Sequence, residues 1–120
     1  MSVRAIRGAT QVAADTPEDL RVGVQELIRE ILSANSLKPA EIISILFTAT
    51  PDLVSDFPAA SARGLGLEVV PLICAVEIAV PGSLPRVIRV MVHCETNLNQ
   101  NEISHIYLHG AKALRKDLAQ

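Results

Sequence analysis

The chain has 120 residues, 49% of them hydrophobic and 20% charged, with a formal charge of −2. That length predicts one domain over residues 1–120, with a hydrophobic core of its own. The near-neutral charge excludes a broad basic surface for nucleic acid or anionic membrane, and two Phe, one Tyr and no Trp exclude a base-stacking platform. The core must therefore be built from Val, Ile, Leu and Ala.

Val3 to Val12 reads as a strand. Thr16-Pro17-Glu18-Asp19 then announces a helix: Thr16 suits the N-cap, Pro17 the first turn, and Asp19 the return bond of a capping box. Leu20, Val24, Leu27, Ile28, Ile31 and Leu32 follow at helical spacing and form one apolar stripe, which ends near Asn35. Pro39 to Glu41 is a short turn. Ile42 to Ala49 is a nearly continuous apolar run and reads as a buried strand. A short helix is expected over Ala59 to Gly64. Val69 to Ile78 reads as a strand whose start is disturbed by Pro71. Arg86 to Glu95 is a long strand, and Ile103 to Leu108 a last strand leading into one helical turn at Gly110 to Leu114. A charged tail, Arg115-Lys116-Asp117, follows.

About five strands with one long helix predict an α+β arrangement, a helix layered on a mixed sheet. One helix covers one face of such a sheet. An apolar second face is then expected to be buried by self-association. No apolar run reaches the length of a membrane span. The Met-Ser-Val-Arg-Ala-Ile-Arg-Gly start has no apolar leader stretch. Cys74 and Cys94 fit no metal or disulfide-framework spacing. A soluble cytoplasmic protein with two free thiols is the expectation.

The informative feature is charge inside apolar strands. Arg7 lies in Ala5-Ile6-Arg7-Gly8-Ala9, Glu77 in Ala75-Val76-Glu77-Ile78, and Arg89 in Ile88-Arg89-Val90-Met91. A charge buried alone would cost several kcal/mol, so each must be paired, solvated or at an edge. Two readings fit. In one, Arg89 and Glu77 are a structural ion pair or simply face solvent. In the other, the three residues line a polar pocket of net positive charge. Arginine forks match carboxylates, so its ligand would be a small organic dianion offering Glu77 a hydroxyl. Other residues read as structural by default: Tyr107 half-buried in an amphipathic strand, Cys74 a small core residue, Arg63 a solvated cation on a short helix. His105 and His109 are four apart but lack a third metal ligand, the serines lack a nucleophile-elbow setting, and Gly64-Leu65-Gly66 is too short for a dinucleotide fingerprint.

The stretches that hold these arginines resemble the small, monofunctional, trimeric chorismate mutases of the Bacillus type. They are Arg4-Ala5-Ile6-Arg7-Gly8-Ala9-Thr10, Thr48-Ala49-Thr50-Pro51-Asp52-Leu53, Phe57-Pro58-Ala59 and Val70-Pro71 with Cys74 and Glu77. Ile88-Arg89-Val90-Met91 and His105-Ile106-Tyr107-Leu108 follow, through to Leu114-Arg115-Lys116-Asp117-Leu118. The resemblance runs almost end to end. It implies a mixed five-stranded sheet packed on one long helix, assembled as a homotrimer with buried sheet faces and active sites between subunits. It implies conversion of chorismate to prephenate, on the route to phenylalanine and tyrosine, with no metal or cofactor.

It also implies roles. Arg7 and Tyr107 resemble the pair that binds a substrate carboxylate. Arg89 resembles the arginine on the ether oxygen, and Glu77 the acceptor for the ring hydroxyl. Phe57 and Leu114 resemble apolar walls, Arg63 a cation at the pocket mouth, and Ile73, Cys74, Ala75 and Val76 the strand that lines the site. Two positions depart from the family pattern. Ala60 stands where a lysine is common, which implies weaker attraction of the dianion. Ile73 stands where threonine is common, which makes that wall more apolar. The alternative from the same architecture is a trimeric binder of small dianions or an imine-deaminase-like protein.

Overall fold

In the computed structural model, which describes residues 1–115, five strands form one mixed sheet in the order β3-β2-β4-β1-β5. They are β1 (Ser2–Gln11), β2 (Ile42–Ala49), β3 (Leu72–Val76), β4 (Val87–Thr96) and β5 (Ile106–Leu108). The antiparallel pairs β1/β4 and β2/β4 form the centre, and the parallel pairs β1/β5 and β2/β3 the edges. The expected tail residues Lys116, Asp117 and Leu118 lie outside the described residues.

Helix α1 (Pro17–Ala34) covers one face. Thr16 is extended and its Oγ1 accepts the Asp19 N–H (3.1 Å), the forward half of the expected capping box. Leu20, Val24, Leu27, Ile28 and Ile31 are buried, each contributing roughly 1.5–3 kcal/mol. They pack on Ile6, Phe47, Ile88, Val90 and Val92 of the sheet. Two glycines permit this approach. A Cβ on Gly8 would stand 2.7 Å from Ile31 Cδ1, and one on Gly23 2.7 Å from Val12 Cγ1. Asn35 closes the helix. Its amide donates to the carbonyls of Ile31 and Ser104, both at 2.9 Å, which ties the helix end to the segment before β5.

Five expectations require correction. The strand expected over Val69 to Ile78 is only Leu72–Val76, because Val70 closes a turn on Leu67 and Pro71 offers no N–H. The strand expected over Ile103 to Leu108 is only Ile106–Leu108, because the Ile103 N–H closes the 3-10 turn of Gln100–Glu102 on Gln100 and Ser104 gives both its backbone groups to Asn35. Strand β2 is buried on one face only. Ile45 and Phe47 point to the helix while Leu46 is exposed, so the continuous apolar run still alternates. The short helix α2 (Pro58–Ser61) starts one residue early and stops at the turn that carries Gly64 and Gly66 at positive φ.

Arg86 is not in β4 either. It takes a left-handed conformation at φ 55°. Asp52 Oδ2 accepts its N–H (2.9 Å) and the Val12 carbonyl accepts its Nε–H (3.0 Å). These bonds fix the point at which β4 begins, two residues before Arg89.

Candidate active site

The face of the sheet turned away from α1 carries the charged residues. Strand register decides which of them meet. Ala9 pairs with Arg89 across β1 and β4, Arg89 with Thr48 across β4 and β2, and Ala9 with Tyr107 across β1 and β5. One row therefore runs Tyr107, Ala9, Arg89, Thr48. Arg7 pairs with Met91, so Arg7 and Arg89 are diagonal neighbours, spaced by about 7–8 Å. Ala9, fully buried against Tyr107, does not fill the space between the two arginines.

That space is a cavity of about 240 Å³ lined by Arg7, Leu46, Thr48, Arg89, Met91, Tyr107 and Arg115. Tyr107 is held from below by a small cluster with Ala9, Val87 and Ala111, against which Leu114 packs. Glu77 follows directly on β3. Its N–H still bonds the Ala49 carbonyl (2.9 Å), which extends the strand by one link and delivers the carboxylate to Arg89. Glu77 Oε1 lies 2.5 Å from Arg89 Nε. The Arg89 side chain is 45% exposed and that of Glu77 15%. The pair is thus not sealed in a dry core. It engages Nε, which leaves the terminal nitrogens of the fork to carry an anion. Arg7 and Arg89 on this cavity, with Glu77 reaching Arg89 from the adjoining hollow, favour an anionic ligand.

The other expected residues stand elsewhere on the chain. Phe57, Arg63, Ile73 and Cys74 line a wider cleft on the far side of β3, and Phe57, Cys74, Ala75 and Val76 line a third hollow next to it. Cys74 points to the helix side, where its Sγ accepts the Ala59 N–H (3.4 Å), while Ala75, paired with Thr48, lies on the Arg89 side. Phe57 is 70% exposed and Ile73 64%. Cys74 and Cys94 are free thiols. Burial pushes the Cys94 thiol pKa up, with Glu41 adding to it.

Leu46, Thr48, Met91 and Arg115 were not singled out by sequence reasoning. The first three become wall residues only through the β2/β4/β1 register, which the strand pattern alone leaves open. Among the described residues, no cluster of three or more His, Cys, Asp or Glu side chains could hold a metal ion, and no helix is long and apolar enough to cross a membrane.

A five-stranded mixed sheet on one helix, with paired arginines on its open face, defines a small α+β protein built to bind an organic acid. The family model "Chorismate mutase type I" matches residues 3–118, and the chain belongs to that family. It is 47% identical over 117 residues to chorismate mutase AroH of Thermus thermophilus, covering 97% of this chain and 96% of that one. It is 41% identical over 120 residues to chorismate mutase AroH of Bacillus subtilis, covering 99% and 94%. A solved chorismate mutase from Clostridium thermocellum superposes with a TM-score of 0.89 at 46% identity, covering 91% of this chain and 97% of that one. These matches favour the mutase reading over the imine-deaminase-like alternative.

Proposed function

We propose that this chorismate mutase binds chorismate at the Arg7–Arg89–Tyr107 cavity and closes the site with the Phe57–Cys74 surface of a neighbouring subunit. The reaction of the family is intramolecular. A C–O bond breaks as a C–C bond forms, turning chorismate into prephenate for aromatic amino acid synthesis. No proton, electron or group is exchanged with the protein. The protein's task is to hold one conformer and to stabilise charge.

Arg7 and Tyr107 bind one substrate carboxylate. Arg89 faces the ether oxygen, which gains negative charge as the C–O bond breaks. A guanidinium fixed there favours the transition state over the ground state. Glu77 holds Arg89 through Nε and accepts from the ring hydroxyl. Leu114 forms an apolar wall beside Tyr107. Ala75 stands beside Thr48 in the same subunit, and across the interface Phe57, Ile73, Cys74 and Val76 close over the substrate, with Arg63 at the mouth. Together they hold the enolpyruvyl arm over the ring, which is catalysis by orientation.

The single observation that carries this reading is the Arg89–Glu77 pair at 2.5 Å on an open, arginine-lined sheet face. A subunit interface is favoured because the two sets of expected residues occupy separate clefts of one chain. It is also favoured by exposed Phe57, Ile73, Val76 and Ile78 around the β3 edge. We take the assembly to be a homotrimer in which residues 1–120 of each chain form one domain. Two free thiols fit a reducing, cytoplasmic setting.

Arg89→Lys is the test. A point charge cannot engage Glu77 and the ether oxygen as a fork does. Turnover of chorismate should fall at least about a hundredfold, with the melting temperature nearly unchanged. Near-normal turnover in this variant would remove Arg89 from the role given to it.

A further inference from the structure

Strand β5 is three residues long, and its pairing with β1 starts at Gly8 and Ile106. The backbone N–H of Arg7 faces the same edge but lies just outside that ladder. No strand carbonyl meets it there. Instead it donates to Nδ1 of His105, at 2.9 Å. An acceptor Nδ1 carries no proton, so the imidazole in this arrangement is neutral with its proton on Nε2.

We infer that His105 is a positioning residue for the reaction: its bare Nδ1 replaces the missing strand carbonyl, fixes the β1 backbone at Arg7, and thereby aims the Arg7 guanidinium over the cavity. This rests on the reading that Arg7 binds a substrate carboxylate. The segment that carries His105 is itself anchored. Ser104, the residue before it, donates its N–H to Asn35 Oδ1 (2.8 Å) and its carbonyl accepts from the Asn35 amide (2.9 Å). Tyr107, two residues later, lines the same cavity as Arg7. One anchored segment therefore sets both members of the carboxylate-binding pair, Tyr107 through its own side chain and Arg7 through its backbone.

The surroundings keep the ring in the required state. Burial holds the His105 pKa below its ordinary 6.5, and the cations of Arg7 and Arg115 lower it further. Protonation would place an Nδ1–H against the Arg7 N–H, donor against donor, and add a third positive charge beside two guanidiniums. The contact is thus preserved at neutral pH and lost only in acid.

The test uses the full chain and three substitutions. His105→Leu removes the acceptor. His105→Asn puts a carbonyl oxygen close to where Nδ1 stood. Arg7→Ala removes the side chain that His105 is argued to aim. We expect His105→Leu to raise KM by roughly five- to tenfold, the effect of one hydrogen bond, with kcat nearly unchanged because the carboxylate contact is uniform through the reaction. His105→Asn should restore KM, and the Arg7 amide proton should shift in the leucine variant and return in the asparagine one. Nitrogen NMR of the wild-type ring, which needs no variant to fold, should show the Nε2–H tautomer. An Nδ1–H tautomer, a wild-type KM in a folded His105→Leu, or no rescue by asparagine would each overturn the inference. Arg7→Ala separates it from the reading beneath it. An unchanged KM there removes Arg7 from substrate binding, whereas a raised KM there beside a normal His105→Leu removes only the role of His105.

Discussion

The division of site residues between two clefts of one chain leads to a quantitative mixing experiment. Arg7, Arg89 and Tyr107 line one cavity, and Phe57, Arg63 and Cys74 the other. In a closed ring, each subunit gives its first surface to one neighbour and its second to the other. Consider Arg89→Ala subunits, intact in the second surface, mixed one to one with Phe57→Ala/Arg63→Ala subunits, intact in the first. Each interface has an even chance of drawing an intact surface from either side. Random reassembly should therefore restore roughly a quarter of the wild-type turnover, whatever the ring size. The two variants are purified apart, unfolded together, refolded and assayed by loss of chorismate absorbance. Each variant refolded alone gives the baseline. A mixture no more active than the mean of the two baselines, from oligomers shown to contain both subunits, would refute a site shared between chains.

Two further predictions concern the scaffold that carries the site. Gly8→Ala puts a Cβ 2.7 Å from Ile31 Cδ1 and 3.1 Å from Val90 Cγ2, and should cost about 1–3 kcal/mol in denaturant unfolding, as overpacking does; an unchanged midpoint would mean that α1 can retreat from β1 freely. Asp52 has its pKa lowered from 3.8, chiefly by the Thr50 hydroxyl, against some desolvation and with help from its own and the Arg86 backbone N–H groups and the Arg86 charge. A carboxylate depressed in the folded state stabilises it above the unfolded value and loses that contribution as pH falls through the folded one. Asp52→Asn should therefore melt lower than wild type at pH 7, with the difference closing in acid below 3.8; a gap independent of pH would show that the charge is not what holds the start of β4.

Much of the frame could be read from residue spacing. The α1 stripe and its Thr16 cap are local signals, and both are set by chain neighbours. The strand arginines were also legible, since a charge among β-branched residues needs a reason wherever it occurs. What spacing could not supply is register. Ala9 lies between Tyr107 and Arg89 only because β1 is paired on both sides, and those pairings are between residues far apart in sequence. The shortening of β3 and β5 was missed for a related reason. Apolar content suggested long strands, but Pro71, the turn at Gln100–Glu102 and the bonds of Ser104 to Asn35 decided where backbone pairing could start. Residue spacing offers His105 only as a metal-ligand candidate. Its bond to the Arg7 amide becomes visible once β5 is known to begin one residue after it.

The most direct test of the central claim is the rate of chorismate loss with purified wild-type protein and with Arg89→Ala, each verified as folded. If Arg89 stabilises the charge on the breaking C–O bond, the wild type forms prephenate rapidly and kcat in the variant falls by about two to three orders of magnitude, as for loss of an oxyanion donor. A folded Arg89→Ala protein that forms prephenate at close to the wild-type rate would contradict the account, and Arg89 would then be a structural partner of Glu77 and nothing more.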